Sequence, residues 1–111
     1  MIQLHSKALG SVPLRGRILL VDDDPGVRAS LKFSLELEGF GVDAYASAEA
    51  LSEAGPLPET GCLVLDYRLP GMDGLSLLAL LRGREVDMPA VLITSNPTAA
   101  IRRRAAAAGV A

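Results

Sequence analysis

The chain has 111 residues, half of them hydrophobic, with 11 Lys or Arg against 13 Asp or Glu and a net charge of −2. That describes one globular domain with a core large enough to need no disulfide or metal staple, and a charge with no general attraction for nucleic acid. No apolar run reaches the roughly 20 residues of a membrane span, and residues 1–16 lack the apolar core of a secretory leader, so a cytoplasmic, membrane-free protein is expected.

Residues 1–16 mix Gly10, Ser11, Pro13 and Gly16 with scattered apolar residues and show no sustained period; they read as an extension, with the domain beginning near Arg17. His5, the sole histidine, falls in that extension as a solvated residue. The first strand is Ile18–Val21. Asp24 then caps a helix with Pro25 at its first position, and Val27, Leu31, Phe33, Leu35 and Leu37 form its apolar stripe up to the stop at Gly39. Phe40–Tyr45 alternates as a second strand, and Ser47 caps a short helix over Ala48–Ala54.

Cys62–Leu65 is a third, wholly apolar strand ending at Asp66, and the lone Cys62 reads as a packed core thiol. After "LPGMDG" a helix runs over about Leu75–Arg82, with Leu75, Leu77, Leu78, Leu80 and Leu81 assigned to the core. Ala90–Ile93 is a fourth strand ending in Thr94 and Ser95, and Pro97 opens an alanine-rich helix that stops at Gly109. Arg102–Arg104 on that helix read as a solvated face.

Strands alternating with amphipathic segments predict a parallel α/β sheet covered by helices, whose C-terminal strand ends share one edge. Asp22 and Asp23 end the first strand, Asp66 the third, Thr94 and Ser95 the fourth. Carboxylates gathered without histidine or thiolate make a hard oxygen site suited to Mg2+, which offsets their mutual repulsion.

"LLVDDDPGVR", "CLVLDYRLPGMDGL" and "AVLITSN", in this order and spacing, resemble the receiver domain of response regulators in bacterial two-component systems. The resemblance covers Arg17 to the C-terminus and implies a flavodoxin-like sheet of order 2-1-3-4(-5) with helices on both faces. It also implies that Asp66 accepts a phosphoryl group from a sensor histidine kinase or phosphotransfer protein. Asp22, Asp23, Asp66 and the main-chain carbonyl of Arg68 would hold Mg2+, Thr94 would be the switch hydroxyl, and Pro70, Gly71 and Gly74 would shape the loop. Such a protein is a stoichiometric phosphoacceptor, not an enzyme, beyond self-phosphorylation and slow autodephosphorylation.

Receivers continue with a fifth strand ending in lysine and a fifth helix, whereas this chain stops at "AAAAGVA", so residues 17–111 are expected to form a receiver lacking both. The fourth strand would then be an open edge, covered by a homodimer or swapped dimer if a second copy fills the gap. Two rivals stand beside this reading. One is a phosphorylation-independent interaction module of the same fold. The other is a haloacid-dehalogenase-type phosphatase with Asp22 as nucleophile and Asp24 as acid/base, opposed by Gly26 and by the capping role of Asp24.

Overall fold

The computed structural model describes residues 15–110, and the expectations for His5 and most of the N-terminal extension lie outside them. The elements are β1 (Arg17–Val21), α1 (Pro25–Leu37), β2 (Gly41–Tyr45), α2 (Ala48–Ser52), β3 (Cys62–Asp66), α3 (Gly74–Gly83), β4 (Ala90–Ile93) and α4 (Ala99–Ala107). The four strands form one sheet of order β2-β1-β3-β4, with every neighbouring pair parallel. Attachment to the sheet begins before Arg17: the Arg15 N–H donates to the Gly39 carbonyl, and the Gly16 carbonyl accepts from Gly41.

Strand alternation divides the core in two. Leu19, Val21, Leu63, Leu65 and Ala90 face one way, packed with Leu51 of α2 and Leu77, Leu78 and Leu81 of α3. Ile18, Leu20 and Val42 face the other way, where Leu31 and Leu35 of α1 cover them. Among the described residues, no helix is long and apolar enough to cross a membrane.

The capping chemistry is as expected. The Asp24 carboxylate accepts from the Gly26 and Val27 N–H groups, and the Ser47 hydroxyl accepts from Ala50. At the far end of α1, Gly39 takes φ +99° while its own N–H and that of Phe40 return to the Glu36 and Leu35 carbonyls.

Several packing expectations need correction. Val27 is 43% exposed, Phe33 65% and Leu37 64%, so α1 does not bury a single stripe. Residues two apart on a helix are separated by about 200°, which turns Phe33 and Leu37 away from Leu31 and Leu35. The same geometry puts Leu80 opposite the buried Leu78 and leaves it exposed. Cys62 is half-buried at the start of β3 rather than enclosed, although burial still raises its thiol pKa. The last helix begins at Ala99 under a Thr98 cap, so Pro97 precedes it rather than opening it.

Candidate functional site

Parallel pairing sets Val21 beside Leu65, so the residues that follow β1 and the last residue of β3 emerge together at one sheet edge. One carboxylate oxygen from each of Asp22, Asp23 and Asp66 lies within 4.8 Å of the other two. The three differ in setting. Asp22 is only 2% exposed, whereas Asp23 is exposed and Asp66 is intermediate.

Asp22 is built into the fold from both ends. Its Oδ1 accepts from the Asp24 N–H at 2.9 Å, and its carbonyl accepts from Arg28 Nη1, reaching back from α1, also at 2.9 Å. The Asp24 side chain is committed to the helix cap and is absent from the carboxylate cluster, which removes the acid/base partner a phosphatase reading requires.

Asp66 is held above the usual carboxylate range, first by burial and then by the charges of Asp22 and Asp23. The Arg68 N–H opposes this by donating to Asp66 Oδ1 at 3.2 Å. Oxygen donors gathered at a site where charge is costly fit a hard divalent cation, which would lower the repulsion that raises Asp66.

The loop after Asp66 has strict steric needs. Gly71 adopts φ +82°, unfavourable for any side chain, and a Cβ there would also stand 3.3 Å from Glu49 Oε2. At buried Gly74 a Cβ would be driven into the carbonyl oxygen of Asp66, so α3 can start this close to the phosphoacceptor candidate only with glycine. Pro70 is exposed in the same loop.

Thr94 follows β4, whose Ile93 is registered with Asp66, and so stands at the neighbouring strand end. Its hydroxyl accepts from the Asn96 N–H at 3.3 Å, within its own loop, and the residue borders a hollow beneath α4.

Three residues near the site escaped the reading of the sequence. Tyr67 and Asp73, at the two ends of the loop, both contact Arg104 of α4, a residue assigned there to a solvated face. Arg28 is the other omission. Elsewhere, a cleft of about 520 Å³ opens between the segments preceding β3 and β4, with Leu51, Leu57, Leu81 and Val86 in its lining. It lies at the opposite sheet edge from the carboxylates.

Comparison with known proteins agrees with this geometry. A family model described as the response regulator receiver domain matches residues 18–111. The transcriptional regulatory protein FixJ of Bradyrhizobium diazoefficiens is 38% identical over 82 residues, which is 74% of this chain and 40% of that protein. The chain therefore spans about two-fifths of the length of this curated relative. Among solved structures, the non-phosphorylated HemR receiver domain of Leptospira biflexa superposes with a TM-score of 0.78 at 33% identity, covering 87% of this chain and 78% of that one. The Thermotoga maritima response regulator TrrA, solved in complex with Mg2+ and BeF, gives 0.69 at 28% identity, covering 83% and 80%. With its sheet order, its aspartates at the shared strand edge and a family match over nearly the whole described domain, the chain belongs to the response regulator receiver domain family.

Proposed function

We propose that this chain is a stoichiometric phosphoacceptor, taking a phosphoryl group onto Asp66 from a sensor histidine kinase or phosphotransfer protein. The observation that carries the reading is the convergence of Asp22, Asp23 and Asp66 within 4.8 Å. Of the three, Asp66 combines partial exposure with a raised carboxyl pKa, whereas Asp22 is buried and already hydrogen-bonded.

An Asp66 carboxylate oxygen attacks phosphorus in line, the P–O bond forms as the P–N bond to the donor imidazole breaks, and the bonding pair leaves with that nitrogen. The Arg68 N–H, donating to Asp66 Oδ1, fixes one carboxylate oxygen and leaves the other to attack. Asp22, Asp23, Asp66 and the Arg68 carbonyl are the groups proposed to hold Mg2+, which when bound supplies neutralising charge for the phosphoryl oxygens. Thr94, one strand over, is the proposed switch: among the described residues its hydroxyl has one hydrogen-bond partner, the Asn96 N–H of its own loop, to give up before turning to a phosphoryl group.

Intact-mass analysis after incubation with acetyl phosphate and Mg2+ tests the reading. A single phosphoryl adduct that disappears in Asp66→Asn and in a chelated sample is expected. An adduct unchanged by Asp66→Asn, or none on the folded wild-type chain, refutes it.

A further inference from the structure

The loop that follows Asp66 is held at both ends by one side chain from a different element. Arg104 Nη1, on α4, lies 3.0 Å from the Tyr67 hydroxyl oxygen and 3.3 Å from Asp73 Oδ2. Its guanidinium carbon also stands 5.9 Å from the centroid of the Tyr67 ring. Tyr67 is adjacent to Asp66, and Asp73 caps α3 by accepting from the Ser76 N–H at 2.7 Å. A single guanidinium therefore joins the first and last residues of the loop.

Tyr67 is poorly free to yield. Its N–H donates to the Ile93 carbonyl and its own carbonyl accepts from Gly74, both at 2.8 Å, so its main chain is fixed between β4 and α3. The α4 side of the contact is looser. That helix has no buried side chain, and a hollow of about 240 Å³ bordered by Leu92, Thr94, Ile101 and Val110 lies between it and the sheet. Among the described residues, every side-chain hydrogen bond from α4 to the rest of the domain comes from Arg104. A helix with so little packing belongs to the low-stability end of the fold, where one polar contact is enough to bias its position.

We propose that Arg104 is a positioning residue that tethers α4 to the loop following Asp66, so that a change of charge or conformation at that loop is passed to α4. The proposal rests on the reading of Asp66 as the phosphoacceptor. Both hydrogen bonds come from Nη1 while the planar guanidinium also faces the Tyr67 ring; lysine can reproduce the charge but has no planar group to set against the ring.

Hydrogen exchange by mass spectrometry on the full chain tests this, with wild type, Arg104→Ala, Arg104→Lys and Tyr67→Phe each measured alone and with Mg2+ plus beryllofluoride, a tetrahedral phosphoryl mimic. Because the pair is half-exposed, ligand-free residues 99–107 should exchange about threefold to fivefold faster in Arg104→Ala, with Arg104→Lys and Tyr67→Phe between it and wild type. With the mimic, residues 67–73 should respond in every variant, while the response of residues 99–107 seen in wild type should fall by at least about threefold in Arg104→Ala. Equal ligand-free exchange of 99–107 in wild type and Arg104→Ala overturns the tether, as does an undiminished response of α4 to the mimic in that variant. If wild-type residues 67–73 ignore the mimic, the phosphoacceptor reading fails instead, and the ligand-free comparison alone decides the tether.

Discussion

Replacing Asp66 with asparagine should make the metal-free domain more stable near neutral pH, although it removes the proposed phosphoacceptor. The carboxylate oxygens of Asp22, Asp23 and Asp66 lie within 4.8 Å of one another. Two like charges at that distance repel by about 0.9 kcal/mol in bulk water and about 3.5 kcal/mol at an effective dielectric constant near 20. Asp66 is only partly buried and Asp23 is exposed, so solvent screening brings the expected gain down to about 1 kcal/mol. The asparagine amide oxygen can still accept from the Arg68 N–H, so that hydrogen bond is not sacrificed.

The pH dependence follows from the raised Asp66 carboxyl, held up first by burial and then by its two acidic neighbours. Because its folded pKa exceeds the unfolded value, its contribution is favourable below the ordinary aspartate pKa and is lost as pH rises through the higher folded one. The advantage of Asp66→Asn should therefore be complete near pH 7 and vanish near pH 3, where the wild-type side chain is protonated. Thermal unfolding in chelator should show a rise of roughly 4–8 °C near neutral pH. Saturating Mg2+ should then close the gap, because the cation stabilises the wild-type cluster more than the neutralised one. An Asp66→Asn protein no more stable than wild type in chelator, or an advantage undiminished in acid, would refute the reasoning.

Three substitutions probe the scaffold by urea unfolding. Gly74→Ala should cost about 2–3 kcal/mol, since its Cβ is forced against the Asp66 carbonyl oxygen with Leu92 Cδ1 at 3.1 Å on another side; a loss below 0.5 kcal/mol would show that α3 can shift freely. Asp24→Ala should cost about 1 kcal/mol by stranding the Gly26 and Val27 N–H groups, with Asp24→Asn close to wild type; equal losses in the two would mean that charge, not capping, matters there. Phe33→Ser should change stability by no more than about 0.5 kcal/mol, against about 2–5 kcal/mol for Leu77→Ala. Comparable losses would contradict the 65% exposure of Phe33 and the complete burial of Leu77.

The carboxylate site was legible because strand chemistry exposes it: β1 and β3 are apolar runs that each break into aspartate, and parallel strands carry those breaks to one edge. That β1 and β3 are neighbours came from the family resemblance, since periodicity does not order strands. The helix caps were legible for the same local reason, as Asp24 and Ser47 sit directly before their helices. The errors came from counting apolar residues without their angles. On α1, Leu31 and Leu35 form one ridge and Phe33 and Leu37 another on the far side, and only the first covers the sheet.

Arg104 was hidden by a related simplification. Its partners Tyr67 and Asp73 are 37 and 31 positions away, so no local motif joins them, and "RRR" suggests three equivalent solvated charges. The helix makes the three unequal. Ile101 is half-buried and borders the hollow between α4 and the sheet; Arg103 lies about 200° around the helix from it, whereas Arg104 lies only about 60° off, one turn further on. An arginine at i+3 from an inward residue flanks the packed face and can reach sideways to a neighbouring loop, while its sequence neighbour points to solvent. The angular position of a charge relative to the side of the helix that faces the sheet, rather than its membership of a charged run, distinguishes a tether from a solvated face.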